Sequence, residues 1–468
     1  MQDDAGPVRA TEEPFASGSR PADLASGSAS MPTIVEIIDD APIGRLQVLV
    51  FALCILVSLI DGFDTQSIAF VAPAIAKQWG VSQWHFGFLF SATLLGSAIG
   101  NAVFGILADR VGRRRLVIVT TLIFGLFSAA SAVSTGYWQL LAFRLLGGIG
   151  MGGVIPNMLA LAAEYAPLRR RATIVTFTLW GFPFGAVAGG IAAGPMIMRW
   201  GWPSVFWLGA AAPVLLVPVL IAALPESLRF LGLDAVRRND VVTLLRRIDP
   251  ARAAIARMES RATAPGKQRG QVSALFGSGL AAPTILLSTV MFLSLFLTYL
   301  LINWVPTMLS QAGMSVSNAI LGAVALNLGG ILGSYILSRA IDGRGRPPLM
   351  LAGGYACAAI AIWFASEGST NKWPALGLLL MCGFFHIGTQ LSTTAFTSGV
   401  YPVAIRGTGI GVIQAVGRIG SLMGPIVGGA LLSMGMTARG ILELAVIPAC
   451  LASLSLLALA SRRRGAER

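Results

Sequence analysis

The stretch SLIDGFDTQSIAF, residues 58 to 70, decides how this chain folds, because it places Asp61 and Asp64 inside an apolar segment from about residue 46 to 76. An ionisable side chain near the middle of a membrane helix costs roughly 2.5–3.5 kcal/mol on insertion scales, so it usually faces a water-filled cavity or a partner. Three residues apart, the two carboxylates share one helix face and cannot both ionise cheaply in a low-dielectric site. The pair therefore indicates a polar site inside a membrane-spanning bundle.

The composition of the whole chain is that of a polytopic membrane protein. Of its 468 residues, 55% are hydrophobic and 12% are charged, and the mean hydropathy is +0.75, far outside the range of a soluble domain. The four cysteines all lie in apolar segments, which excludes a disulfide framework and a metal-ligand spacing. We expect no metal and no cofactor. We also expect no nucleic-acid partner, because the net charge of +13 in a membrane protein reflects its orientation in the membrane.

Twelve apolar segments are long enough to cross about 30 Å of hydrocarbon, and a polar stretch separates them into six and six. We predict an all-α polytopic membrane protein with twelve transmembrane helices in two pseudo-symmetric six-helix bundles. The predicted division is a disordered cytoplasmic tail (1–33), an N-terminal bundle (34–224), a cytoplasmic linker (225–283), a C-terminal bundle (284–461) and a cytoplasmic tail (462–468).

The distribution of basic residues predicts the orientation. With both termini in the cytoplasm, all but six of the 34 basic residues lie on the cytoplasmic side, as the positive-inside rule requires. We therefore expect a multi-pass protein of the cell (inner) membrane with both termini in the cytoplasm. We also expect it to be monomeric and surrounded by the lipid bilayer. The six exceptions are Lys77, Arg199, Lys372 and Arg439 on the outer side and Arg144 and Arg418 within spans.

Two pairs of motifs indicate that a six-helix unit has been duplicated. ADRVGRRR at 108–115 and IDGRGRPP at 341–348 each have an acid, a glycine three positions later and an arginine four positions later. YAPLRRRAT at 165–173 matches YPVAIRGT at 401–408. The paired positions lie 233 residues apart in the first case (109 and 342) and 235 in the second (171 and 406). Such a parallel repeat is typical of transporters.

Over about residues 34 to 460 the chain resembles the major facilitator superfamily and, within it, the aromatic acid:proton symporter family. The superfamily motifs are GILADRVGRRR at 105–115, the RxxxGxGxG pattern that starts at Arg144, and LPESLRFL at 224–231. The motifs similar to the symporter family are DGFD at 61–64, EYAPLRRRA at 164–172, LINWVPTML at 301–309 and AVGRIGSLMGPIVGG at 415–429.

This resemblance implies import of an aromatic carboxylic acid of the benzoate or hydroxybenzoate class by proton symport through alternating access. The expected partners are a small aromatic acid anion and protons, the latter as the coupling ion. No GxxxxGK[ST] motif is present to bind ATP, and no convergent nucleophile and base favour an enzyme. Two alternatives stay open: a proton-coupled transporter of a non-aromatic carboxylate, and a transporter-like sensor of aromatic acids.

Three buried charges are the candidates for proton coupling. The resemblance carries the family's acidic pair to Asp61 and Asp64, where burial and mutual repulsion favour the binding of one proton. The alternative is a structural hydrogen-bond network that ties this helix to its neighbours. For Arg144, proton coupling and helix packing are equally open.

Arg418 is the candidate anchor for the substrate, because a guanidinium binds a carboxylate with two parallel hydrogen bonds. An internal salt bridge is the alternative. Aromatic side chains can stack on a ring, and polar ones can bind a ring hydroxyl. On these grounds the other candidate substrate contacts are His386, Gln390, Trp304, Asn303, Tyr299, Asn327 and Trp180, and packing is the alternative for each of the aromatic ones.

Charged residues next to the predicted cytoplasmic ends of the helices are candidates for gating. The superfamily resemblance implies a latch in which arginines pair with acids such as Glu164, and breaking these pairs opens one side. A solvated loop is the ordinary alternative. The candidates are Asp109, Arg110, Arg113, Arg114 and Glu164, with Asp342, Arg344 and Arg346 as a weaker pseudo-symmetric copy.

Overall fold

The computed structural model describes residues 33–232, 237–250, 272–277, 279–342, 347–367, 371–397, 399–402 and 405–466, except the side chains of Asp109, Asp342 and residues 463–466. The predicted tail at 1–33, apart from Thr33, and part of the predicted linker at 225–283 lie outside the described residues. The predicted gating residues Arg344 and Arg346 also lie outside them. The exact division into segments therefore stays a prediction.

Fifteen α-helices lie within the described residues, and twelve of them are long and apolar enough to cross a membrane. The first six-helix set is α2 (Arg45–Trp79), α3 (Gln83–Val111), α4 (Arg113–Ala132), α5 (Tyr137–Tyr165), α6 (Leu168–Trp200) and α7 (Pro203–Ala223). The second is α10 (Ala281–Gln311), α11 (Val316–Asp342), α12 (Pro347–Ser366), α13 (Lys372–Thr397), α14 (Arg406–Ser433) and α15 (Ala438–Ala466). The short helices are α1 (Ile34–Asp40), α8 (Leu228–Gly232) and α9 (Arg238–Arg246), and a 3₁₀ turn spans Val272–Phe276.

Helix α1 is capped at its N-terminus and held against the N-terminal bundle near its C-terminus. Thr33 and Glu36 form a reciprocal capping box at its N-terminus, with bonds of 3.2 and 2.8 Å. Near its C-terminus, Asp39 accepts a 2.7 Å bond from the backbone N–H of Leu168, at the start of α6, and pairs with Arg171. Helix α1 is therefore docked on the N-terminal bundle ahead of the first span.

The same pairs of helices pack together in both bundles, and glycines at equivalent positions set the register. Where α6 crosses α2, a Cβ on Gly185 would meet the carbonyl oxygen of Leu59, and where α14 crosses α10, a Cβ on Gly420 would meet that of Phe292. The two backbones therefore touch at both crossings. Counting onward from Leu59 and Phe292, Ser294 and Leu297 of α10 occupy the positions of Asp61 and Asp64 of α2.

A second pair of glycines shows which positions of α5 in the first bundle correspond to which positions of α13 in the second. Gly148 lies against the carbonyl oxygen of Thr93 on α3, and Gly383 lies against that of Leu326 on α11. Counting back from these glycines, Leu379 occupies the position of Arg144, and counting forward His386 occupies that of Met151. The predicted fold, twelve helices in two pseudo-symmetric six-helix bundles, is confirmed.

The two bundles share a core at only one end of the described molecule. We call the end where Arg113, Arg171 and Arg406 lie the basic end. At the opposite end one hydrophobic cluster joins both bundles and includes Phe70, Phe90, Leu301, Trp304 and Ile320. The two clusters nearest the basic end are each confined to one bundle. The structure is therefore closed between the bundles at the end opposite the basic end.

Candidate functional site

Asp64 is fully occupied by partners inside the N-terminal bundle. Its Oδ2 lies 3.0 Å from Nη1 of Arg144, and its Oδ1 accepts a 2.8 Å hydrogen bond from Ser128 Oγ. Arg144 also donates from Nη2 to the backbone oxygen of Asp64 at 2.8 Å and from Nε to Thr93 Oγ1 at 3.3 Å. Asp64 and Arg144 are only 2% and 3% exposed. This network joins α2, α3, α4 and α5 and balances the charge of Asp64.

Asp61, one turn earlier on α2, has a different environment. It is 4% exposed, and its Oδ1 has no hydrogen-bond partner among the described residues. The charges that act on it most are those of Asp64 and of Arg418 on α14, and the Tyr299 hydroxyl on α10 interacts electrostatically with both Asp61 and Arg418. Asp61 on α2 thus lies within electrostatic range of Tyr299 on α10 and Arg418 on α14, both in the opposite bundle. We call these three residues the acid–arginine site.

Arg418 is available for a ligand at this site. Its side chain is partly exposed, and it forms no ion pair with any residue whose side chain the structure describes. Helix α14 approaches α10 closely because Gly417, Gly420 and Gly424 face α10. A guanidinium held without an internal carboxylate partner has its paired N–H groups free to bind an anion.

Three of the predicted substrate contacts lie on α10 next to one another. Tyr299 belongs to the acid–arginine site, and Asn303, one turn later, donates a 2.8 Å hydrogen bond to the backbone oxygen of Tyr299. Trp304 is completely buried; its indole N–H donates to the Pro425 oxygen at 2.9 Å, and its ring packs edge-on against Phe90. Trp304 thus fills the contact between the bundles.

Asn327 of α11 is paired with a residue that the sequence analysis did not single out. Its side-chain amide exchanges two hydrogen bonds with that of Gln66 on α2, at 3.0 and 3.1 Å. A long polar side chain two positions after Asp64, in a largely apolar helix, was a signal for Gln66 itself, but it does not identify the partner. In this conformation the Asn327 amide serves the contact between bundles.

His386 lies within the C-terminal bundle. Its Nε2 is 3.0 Å from Thr298 Oγ1 and 3.2 Å from the backbone oxygen of Ser294, and the Tyr355 ring packs on it. Gln390, one turn further along α13, is also buried. Their predicted contacts with substrate stay predictions.

Trp180 contacts other aromatic rings in the structure. Its ring packs edge-on against Phe177 of its own helix and against Tyr335 of α11, in the opposite bundle. This places Trp180 where α6 and α11 meet. Its predicted contact with substrate also stays a prediction.

At the basic end, Glu164 pairs with one of the predicted arginines, Arg113, with Nη1 and Oε1 3.0 Å apart. The sequence analysis did not predict the part played by the LPES segment: Glu226 accepts a 3.0 Å bond from the backbone N–H of Arg114, at the start of α4, and Ser227 donates to Glu164. A carboxylate at a helix N-terminus is favourable.

The gating assignment itself stays a prediction. The ion pair and the cap just described join α4, α5 and the segment after α7, all within the N-terminal bundle. Arg110 is exposed. The side chains of Asp109 and Asp342 lie outside the described residues.

Comparison with known proteins identifies the family. Residues 54–425 match the model of the Major Facilitator Superfamily. The chain belongs to this superfamily. It is 34% identical to the 4-hydroxybenzoate transporter PcaK of Acinetobacter baylyi, over 90% of this chain and 92% of that protein. It is 33% identical to a gallate transporter of Pseudomonas putida, over 90% of this chain and 93% of that protein.

Solved structures of the superfamily share the fold. The inward-open xylose transporter XylE of E. coli superposes with a TM-score of 0.67 at 19% identity, covering 88% of this chain and 96% of XylE. The chain is therefore a multi-pass membrane transporter and not an enzyme, and its resemblance to the aromatic acid:proton symporter family is confirmed by the relatives. Among the described residues, no cluster of His, Cys, Asp and Glu is arranged to hold a metal ion.

Proposed function

We propose that this superfamily member imports an aromatic carboxylic acid of the benzoate or hydroxybenzoate class by proton symport through alternating access. The observation that carries the proposal is the buried Asp61 carboxyl, whose Oδ1 has no partner among the described residues and which shares a site with Arg418. The relatives support the substrate class, since two of those matched over 90% of the chain are named as a 4-hydroxybenzoate and a gallate transporter.

The charges of the acid–arginine site account for the coupling. A buried carboxylate without a partner is stabilised by binding a proton. A substrate carboxylate and an ionised Asp61 would together place two negative charges beside the single positive charge of Arg418. One proton on Asp61 makes the loaded site neutral, and a neutral site can be enclosed by the bundles at much lower cost than a charged one. Proton and substrate therefore move together.

Arg418 and the side chains on α10 divide the recognition of the substrate. The guanidinium binds the carboxylate through two parallel hydrogen bonds, and Tyr299 offers a ring and a hydroxyl beside it. Asn303, one turn further on and bonded to the Tyr299 backbone oxygen, is the proposed partner for a ring substituent. Protons are the coupling ion in this proposal, and no cofactor takes part.

The positive-inside rule supports an inner-membrane location with both termini in the cytoplasm. The basic end then faces the cytoplasm, and the closed end with its shared core faces outward. In this orientation the structure corresponds to a state that is closed to the outside. We propose that the transporter acts as a monomer.

Uptake into reconstituted vesicles tests the proposal. The purified protein is placed in liposomes with and without an inward proton gradient, and accumulation of radiolabelled 4-hydroxybenzoate is measured. We expect accumulation only with the gradient. Competition by benzoate and hydroxybenzoates, but not by muconate or short hydroxy acids, supports the aromatic class. Binding without accumulation would contradict transport and would favour a sensor.

A further inference from the structure

The reciprocal amide pair between Gln66 and Asn327 joins the two bundles, within about one turn of the middle of α2 and of α11. Gln66 donates from Nε2 to Asn327 Oδ1 at 3.1 Å, and Asn327 donates from Nδ2 to Gln66 Oε1 at 3.0 Å. The Asn327 amide also donates to the backbone oxygen of Ala323 at 2.8 Å, which fixes its orientation. The residues are 2% and 3% exposed.

The surroundings of this pair are apolar. Ile68 and Phe70 follow Gln66 on α2, and Ala323 and Leu326 lie next to Asn327 on α11; all four belong to the core that both bundles share. In such surroundings separation leaves the Asn327 amide with its bond to the Ala323 oxygen and the Gln66 amide among apolar side chains. The two hydrogen bonds between the amides are then lost without replacement until water enters. The pair therefore favours the closed arrangement until the end opposite the basic end opens.

Gln66 also connects this closure to the acid–arginine site. It lies two residues after Asp64 and five after Asp61 on the same continuous helix, α2. Asp64 in turn holds α2 to α5 through Arg144. A movement of α2 that opens the closed end must therefore separate Gln66 from Asn327 while the N-terminal bundle moves as one body.

We propose that Gln66 and Asn327 are positioning residues that hold the transporter closed at the end opposite the basic end, and that their separation accompanies its opening. The proposal rests on alternating access, which is part of the proposed function, but not on the identity of the substrate or the coupling ion. Neither residue need contact the substrate for this role.

An accessibility measurement tests the proposal. Ile320 is completely buried in the shared core and lies where α11 meets Gly190 of α6. Ile320→Cys is introduced after the four native cysteines are replaced by alanine, and its reaction rate with a water-soluble maleimide is measured in nanodiscs without substrate or gradient. Gln66→Asn and Asn327→Gln are each added to this background. Each change moves one amide by about one methylene length and so weakens the amide pair. We expect the closed end to open more often and the introduced cysteine to be labelled about tenfold faster.

Two controls separate positioning from a general loss of structure. The double variant Gln66→Asn/Asn327→Gln restores the combined length of the pair, and we expect its labelling rate to return to within about twofold of the background. Gln47→Asn makes the same change on the same helix, at a buried amide that bonds only within the N-terminal bundle, to the Tyr165 oxygen at 2.8 Å and the Gly44 N–H at 2.8 Å. It should leave the rate unchanged.

The outcomes are decisive in both directions. Faster labelling in the single variants, with recovery in the double variant, supports the proposal. An unchanged rate in the single variants, or a double variant that labels as fast as they do, overturns it. Because the measurement uses neither substrate nor a proton gradient, its result is independent of whether the protein performs symport.

Discussion

In the N-terminal bundle the polar cluster around the middle of α2 is charged, with Asp64 paired to Arg144 and Asp61 beside them. The equivalent positions of the C-terminal bundle carry Leu297, Leu379 and Ser294. The polar cluster of that bundle is neutral and centres on His386, which occupies the position of Met151. The acids therefore lie in the N-terminal bundle, and the C-terminal bundle contributes the positive charge of Arg418 to the acid–arginine site.

This difference assigns separate tasks to the two halves. Asp64 and Arg144 hold four helices of the N-terminal bundle together, which leaves Asp61 as the unpaired acid. Arg418, at the position of Pro183 in the repeat, supplies the positive charge from the opposite bundle. A proton acceptor on one half and an anion anchor on the other can be brought together or separated by a movement between the bundles.

The largest effect is expected from breaking the ion pair. Arg144→Leu leaves Asp64 buried beside an apolar side chain, so we expect a loss of about 3–5 kcal/mol in stability, seen as a lower unfolding temperature in detergent. The double variant Asp64→Leu/Arg144→Leu copies the C-terminal bundle and should recover most of this loss. If the double variant unfolds at as low a temperature as the single variant, the apolar packing of the C-terminal bundle cannot replace the ion pair at this position.

A smaller effect is expected from the neutral cluster. His386→Leu leaves the Thr298 hydroxyl without its histidine partner, so we expect a loss of about 1–3 kcal/mol with unchanged selectivity among benzoates. Met151→Leu, the matched change in the N-terminal bundle, should cost less because it conserves volume. A His386→Leu protein of normal stability but altered selectivity would instead support the direct substrate contact predicted from the sequence.

The smallest effect is expected at the anchor. Arg418→Lys keeps the positive charge but loses the planar pair of donors, so we expect about tenfold weaker binding of 4-hydroxybenzoate in a competition assay, with a normal unfolding temperature. Arg238→Lys, on the exposed face of α9, is the matched control and should bind normally. Unchanged affinity in Arg418→Lys would place the carboxylate elsewhere.

The sequence identified the charged residues of the site because a charge in an apolar helix is conspicuous. Asp61, Arg144 and Arg418 were found this way, and the repeated motifs predicted the two bundles. Which way His386 faces could not be predicted, because a membrane helix is apolar on its lipid side and on its packed side, so hydropathy does not reveal its rotation.

Contacts between residues far apart in the sequence could not be predicted either. The Gln66–Asn327 pair depends on how α2 and α11 approach, and the cap by Glu226 depends on the path of the chain after α7. Neither contact has a local sequence signature. Both required the tertiary arrangement.

The most direct test of the central claim compares two transport assays of Asp61→Asn. We expect accumulation of 4-hydroxybenzoate driven by a proton gradient to be abolished, while exchange of labelled for unlabelled substrate without a gradient continues, because the asparagine keeps the site neutral but cannot release a proton. Asp240→Asn, an exposed acid on α9, should behave as wild type in both assays. Near-normal gradient-driven accumulation by Asp61→Asn would contradict the assignment of the coupling proton to Asp61.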